Sequence, residues 1–172
     1  MKNESVILVD VNDDEVGVCE KLEAHQKSLL HRAFSIFIFN HKNELILQKR
    51  ALKKYHSGGL WSNTCCGHPK PNEETLVAAK RRLIEEMGIY CELEFKFSFI
   101  YKIGLNNNLF EHEYDHVFIG ETNQIPVLNP EEVSEWKTIT MAELKNDLNK
   151  NPDHYTAWLK LCLENNKFNL LP

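Results

Sequence analysis

Two adjacent thiols, Cys65 and Cys66, stand just ahead of His68, and two adjacent carboxylates, Glu85 and Glu86, follow at the end of a stretch with helical spacing. Thiols and imidazoles can move protons. Carboxylates in the last turn of a helix face the negative end of its dipole and gain nothing from it, so a pair there suggests a cation. Spacing alone favours a plainer account, in which Arg81–Glu85 and Arg82–Glu86 are solvated i,i+4 ion pairs. A second acidic group, Glu111, Glu113 and Asp115, alternates along a strand-like stretch and shares one face. Like charges on one face repel, and a divalent cation would relieve them if that face lines a pocket.

Three imidazoles (His25, His31, His68) with two carboxylates (Glu111, Glu113) would make a five-ligand site of nitrogen and oxygen. That donor set suits Mn²⁺, Fe²⁺ or Zn²⁺ better than Ca²⁺ or Mg²⁺. The ligands are scattered over separate segments, and each histidine taken singly is more often a surface or hydrogen-bonded residue. His41, His56, His112, His116 and His154 keep that plain reading. Lys49, Arg50, Lys53 and Lys54 form the densest cationic group and lead into Gly58-Gly59. Arginine forks and lysine point charges suit a diphosphate, and a glycine pair lets backbone approach closely.

The elements that must position these groups follow from periodicity. Residues 6–11 and 16–19 read as a hairpin, and 20–30 as a helix. His25 and His31 are six apart, so they converge only if that helix ends between them. Residues 33–39 are apolar on both faces apart from Ser35 and form a central strand. Strands follow at 45–50, 91–102, 109–119 and 136–140, with an Asn-rich loop at 105–109. The helix opens with Asn72 as N-cap and Glu73 and Glu74 in its first turn, buries Leu76, Ala79, Leu83 and Met87, and stops at Gly88. Helices at 141–149 and 153–166 close the chain, the second with an apolar stripe of Tyr155, Trp158, Leu161 and Cys162.

With 172 residues, 42% of them hydrophobic, the chain reads as one domain spanning 1–172. A net charge of −5 argues against a nucleic-acid partner. The apolar run Val6-Ile7-Leu8-Val9 is too short for a signal sequence, and no segment approaches a membrane span. Five cysteines, an odd number with one adjacent pair, point to a reducing compartment, by default the cytoplasm.

Gly67, Glu73, Arg81, Leu83, Glu85, Glu86, Gly88 and Ile89 stand at the spacing of the Nudix box. One position departs: the box expects Glu after its Arg, and this chain has Arg82, which removes a carboxylate that Nudix hydrolases use to hold magnesium. With Cys-Gly-His ahead of it, the chain resembles the type I isopentenyl-diphosphate isomerases of the Nudix superfamily, from the first hairpin to Trp158. The closest matches are Glu20-Lys21 through His25, 49–52, 61–69 and 111–113. The resemblance implies one α/β domain, a Nudix-like mixed β-sheet sandwiched by helices, with N- and C-terminal additions. It implies metal ligands at His25, His31, His68, Glu111 and Glu113, catalytic groups at Cys66 and Glu113, and magnesium on Glu86. It also implies diphosphate contacts at Lys21, Arg50, Lys54 and Arg82, so that a hydrolase's metal ligand has become a phosphate partner. Only the match selects Cys66 over Cys65. The His25–His31 interval is one residue shorter than in bacterial members, which demands a tighter connection.

The implied chemistry is a 1,3-allylic proton shift in isoprenoid biosynthesis, between isopentenyl and dimethylallyl diphosphate. It expects Tyr101 to orient or relay a proton and Trp158 to present its π face to a carbocation. Mg²⁺ would accompany the diphosphate and Mn²⁺ or Zn²⁺ the three-His, two-Glu site, in a monomer whose partner is the small-molecule isoprenyl diphosphate. A Nudix hydrolase and a non-catalytic metal or nucleotide sensor are the rival readings.

Overall fold

The computed structural model describes residues 4–105 and 108–168. Its centre is the strand β3 (His31–Phe39), to which all other sheet elements attach directly or through one neighbour. β8 (Phe110–Glu121) lies parallel along its whole length, from His31 opposite Glu113 to Phe39 opposite Glu121. The other edge of β3 is shared in turn by β1 (Ser5–Val9), β6 (Cys65–Gly67) and β4 (Glu44–Arg50). β2 (Glu15–Glu20) pairs with β1 as the expected hairpin, β4 carries β5 (Trp61–Ser62) and β9 (Val133–Thr140), and β7 (Glu94–Gly104) runs antiparallel to β8. Among the described residues the result is a mixed sheet of nine strands with four α-helices.

Because β3 is apolar on both faces, it can be covered from both sides. Phe34, Ile36 and Ile38 pack against Ala78, Ala79, Leu83 and Met87 of α2 (Thr75–Met87). Phe37, with Leu45 and Leu47, meets Leu144 of α3 (Met141–Lys150) and Leu159, Cys162 and Leu163 of α4 (Ala157–Glu164). Each fully buried aliphatic or aromatic side chain contributes roughly 1.5–3 kcal/mol, which is what fixes the helices on the sheet.

Three expectations change. Asn72 does not cap α2: its φ is +63°, the left-handed turn conformation that Asn tolerates, and Glu74 occupies the N-cap position without a side-chain bond. Glu73 is thereby freed to take the Arg81 fork, at 2.7 and 2.8 Å. Leu76 is 38% exposed, and Ala78 joins Ala79, Leu83 and Met87 among the buried residues of the helix. The helix expected over 153–166 is broken, because Tyr155 is extended, buried and bridged to Trp61, leaving a 3₁₀ turn at Pro152–His154 and α4 from Ala157. Gly88 ends α2 at φ +63° as expected, and a Cβ added there would meet the Val127 carbonyl at 2.7 Å. Residues 106 and 107 of the Asn-rich loop lie outside the described residues.

Candidate active site and metal centre

The convergence of His25 and His31 depends on where α1 (Lys21–Lys27) stops. Glu20 caps its start by accepting the Glu23 N–H at 3.1 Å. Ser28 ends it in the left-handed conformation, φ +54°, and the chain turns straight into β3. The two rings then lie 4.9 Å apart, and His68, delivered by the end of β6, stands 5.0 Å from His31 and 5.7 Å from His25. Glu111 and Glu113 approach from β8, and one ligand atom from each of the five lies within 4.8 Å of all the others.

Two hydrogen bonds preset the imidazoles. His25 Nδ1–H donates to the Lys21 carbonyl at 2.7 Å and His31 Nδ1–H to the Leu29 carbonyl at 2.8 Å, so each turns Nε2 inward as a lone pair. Those Nε2 atoms, with Glu111 Oε2, are buried and have no hydrogen-bond partner among the described residues, although His25 Nε2 comes within 3.1 Å of that oxygen. His68 Nε2 is 2.8 Å from Glu113 Oε1. Burial pushes His31 down to about 4 and His68 well below the usual imidazole range, which keeps both neutral. Burial and then the Glu111 and Asp115 carboxylates push Glu113 up. Neutral imidazoles, unpartnered lone pairs and converging carboxyls fit a divalent metal.

This centre opens into a cavity of about 590 Å³ whose lining includes Cys66, Tyr101, Glu113, Arg50, Arg82 and Trp158. The Tyr101 hydroxyl donates to Glu113, its cross-strand partner on β8. Burial pushes the Cys66 thiol up to about 12, against the pull of Arg50, so it is held protonated. Cys65 is fully buried in the α2 core, which separates the two thiols in space. Trp158 is 3% exposed, with its indole N–H donating to Ser62 Oγ at 2.9 Å and the Arg50 guanidinium 5.0 Å from its ring centroid.

The expected cations separate. Lys21, Arg50, Lys54 and Arg82 line the cavity; Lys49 pairs with Glu135 at 2.7 Å, and Lys53 is exposed. Lys21 pairs with Glu4 at 3.2 Å. Arg50 is 8% exposed and, among the described residues, has no carboxylate partner; it donates only to the His56 carbonyl, at 3.3 Å, and its Nε is unpartnered. Glu86 is 5% exposed and shared between Arg82 and Gln48 Nε2, the latter at 3.1 Å. Both i,i+4 pairs of the box, Arg81–Glu85 and Arg82–Glu86, therefore form, yet Glu86 is buried rather than solvated. The Gly58-Gly59 pair serves its own loop, since a Cβ on Gly58 would lie 2.7 Å from the Leu52 carbonyl.

Residues 29–159 match the NUDIX domain. Isopentenyl-diphosphate Delta-isomerase 2 of Aromatoleum aromaticum is 54% identical over 161 residues, covering 94% of this chain and 85% of the relative. The isopentenyl-diphosphate Delta-isomerase of Pectobacterium atrosepticum is 52% identical over 156 residues, covering 91% and 87%. The chain belongs to the type I isopentenyl-diphosphate isomerases, within the Nudix superfamily. The fold itself is more widely shared: a solved Deinococcus radiodurans protein superposes with a TM-score of 0.74 at 17% identity, over 92% of this chain and 96% of that one.

Nudix enzymes use divalent metals, and the cluster of His25, His31, His68, Glu111 and Glu113 offers an isomerase of this family a place for one. Three neighbours escaped the sequence reading. His56 Nε2 lies 3.4 Å from Glu111 Oε1, its ring edge-on to Trp158 at 5.7 Å, although nothing in its spacing marks it. Gln48 touches Glu86 and Glu132 touches Arg82, and the register of β4 with β9 together with the Asn129–Glu86 backbone bond brings Glu132 near. No helix among the described residues is long and apolar enough to cross a membrane.

Proposed function

We propose that this chain interconverts isopentenyl and dimethylallyl diphosphate, in isoprenoid biosynthesis, by adding a proton at one end of an allylic unit and removing one from the other. The observation that carries this reading is Arg50, a buried guanidinium with no carboxylate partner among the described residues, in the same cavity as Cys66 and Glu113. A buried arginine without an acid is costly and signals an anionic ligand. Lys21, Arg50, Lys54 and Arg82 grip the diphosphate, which leaves the hydrocarbon end against Cys66, Glu113 and Trp158.

Isomerisation forms a C–H bond at the terminal methylene carbon, leaves a tertiary cation at the branched carbon, and breaks a C–H bond at the carbon next to it. Cys66 and Glu113 divide these two transfers between opposite sides of the substrate, one giving a proton and the other taking one. Tyr101 fixes the Glu113 carboxyl through its hydroxyl. Trp158, locked by Ser62, supplies a π face where the cation develops and helps keep water out.

His25, His31, His68, Glu111 and Glu113 would hold Mn²⁺ or Zn²⁺, and Glu86 would hold Mg²⁺ together with the diphosphate. The first metal would polarise Glu113 and the second would neutralise diphosphate charge. In a hydrolase the residue after Arg81 would be a metal carboxylate; here Arg82 holds Glu86 and faces the cavity, which supports retention of the diphosphate over its cleavage. The proposed setting is the cytoplasm, in keeping with five free cysteines. The proposed working form is a single domain, 1–172, and a monomer.

The test is to incubate purified protein with isopentenyl diphosphate, Mg²⁺ and Mn²⁺ and to follow acid-labile allylic diphosphate and released phosphate together. Allylic product without phosphate, lost in Cys66→Ala, supports the reading; phosphate without isomerisation overturns it.

A further inference from the structure

A single carboxylate oxygen joins two of the cavity's cations. Glu132 Oε2 lies against Lys54 Nζ and 3.3 Å from Arg82 Nη2, although the three residues belong to the loop after β4, the turn before β9, and α2. The Glu132 main chain is tied to the same places. Its carbonyl accepts the Ala51 N–H at 2.9 Å, at the root of the loop that carries Lys54, and its N–H donates to the Asn129 carbonyl at 3.0 Å. Asn129 in turn donates its N–H to the Glu86 carbonyl at 3.0 Å, at the end of α2. Glu132 is thus fixed from both sides, and its side chain lines the cavity.

Lysine is a flexible point charge on a long stem, and holding it in one place for a ligand costs rotamer entropy unless something fixes it beforehand. Arg82 is already held from its own helix, where Glu85 takes its Nη1 at 2.8 Å and Glu86 its Nη2, and Glu132 at 3.3 Å links that fixed guanidinium to Lys54. We infer that Glu132 is a positioning residue for diphosphate: it spans Lys54 and Arg82 and holds them as a preformed pair aimed at the same anion. The inference rests on the reading of Lys54 and Arg82 as diphosphate contacts. Glu132 touches no reacting atom and acts only through the two cations. A competing role is open to the same carboxylate, that of a placeholder which diphosphate must displace, and the two roles predict opposite signs.

The experiment is calorimetric titration of inorganic pyrophosphate with Mg²⁺ into wild type, Lys54→Ala, Glu132→Ala, Glu132→Gln and the double variant Lys54→Ala/Glu132→Ala. Glu132→Ala is expected to weaken pyrophosphate about tenfold, the scale of one charge-assisted hydrogen bond. Glu132→Gln, which keeps an acceptor oxygen, recovers part of that loss. In the Lys54→Ala background the Glu132→Ala effect shrinks to about threefold or less, because residues that act through each other are not additive. With isopentenyl diphosphate the KM of Glu132→Ala rises by more than its kcat falls. If Lys54→Ala leaves pyrophosphate binding unchanged, the reading of Lys54 as a diphosphate contact fails. If Lys54→Ala weakens binding while Glu132→Ala is neutral or tighter, the positioning role fails and the placeholder stands. Should Glu132→Ala not fold, Glu132→Gln decides by the same sign.

Discussion

His68 Nε2 sits 2.8 Å from Glu113 Oε1, and that one carboxyl also receives the Tyr101 hydroxyl. Glu113 therefore belongs at once to the candidate metal cluster and to the cavity that Cys66 lines. Metal and chemistry should be separable by variants on either side of it. Mn²⁺ or Zn²⁺ added to chelated protein is expected to raise its unfolding temperature, with about 2.7 kcal/mol of stabilisation at a hundredfold excess over Kd. His25→Ala should abolish that shift and Glu86→Gln should keep it, as read by calorimetry; loss of the shift in both would mean that the two sites are one.

Cys65 and Cys66 give different outcomes because one faces the core and the other the cavity. Cys66→Ala should lower kcat by about 10²–10⁴, the usual worth of a positioned acid or base, with unchanged metal binding. Cys65→Ala should keep kcat within a few-fold and lower stability by about 1 kcal/mol through the small void it leaves beside α2. Equal kinetic losses would remove the assignment.

Arg50→Lys keeps the charge but loses the planar fork that lies over Trp158. We expect KM for isopentenyl diphosphate to rise by about tenfold in Arg50→Lys and further in Arg50→Ala. An unchanged KM in steady-state kinetics would place the diphosphate elsewhere.

The Glu73–Arg81 fork supplies a pH test of the box as a structural latch. The side-chain bond to Arg81 holds Glu73 below its ordinary value, against burial. A carboxyl whose folded pKa lies below its unfolded one stabilises the fold above the unfolded value, and that stability is lost as pH falls through the folded one. Glu73→Gln should therefore cost about 1 kcal/mol at pH 7, and the difference from wild type should close at acid pH, in urea unfolding curves. A difference that persists at low pH would assign the effect to packing.

Much of this was legible in local pattern. The central strand shows as an apolar run on both faces, the acidic face of β8 as strict alternation, and the His25–His31 convergence as a spacing that requires the helix to end. What was hidden depends on partners far along the chain. Tyr155 fits a helical stripe, but its bridge to Trp61, 94 residues away by number, draws it out of α4. Asn72 has a capping side chain, yet the turn it makes lets Glu73 reach Arg81. His56 and Glu132 carry no local signal, because loop closure, the β4–β9 register and the Asn129 tie to α2 bring them to the cavity.

The most direct measurement is proton NMR of isopentenyl diphosphate turned over by protein pre-equilibrated in D₂O with Mg²⁺ and Mn²⁺. Cys66 and Glu113 as separate donor and acceptor predict dimethylallyl diphosphate carrying deuterium in a terminal methyl group, with no phosphate released. Product formed without deuterium, or phosphate released without product, would contradict it.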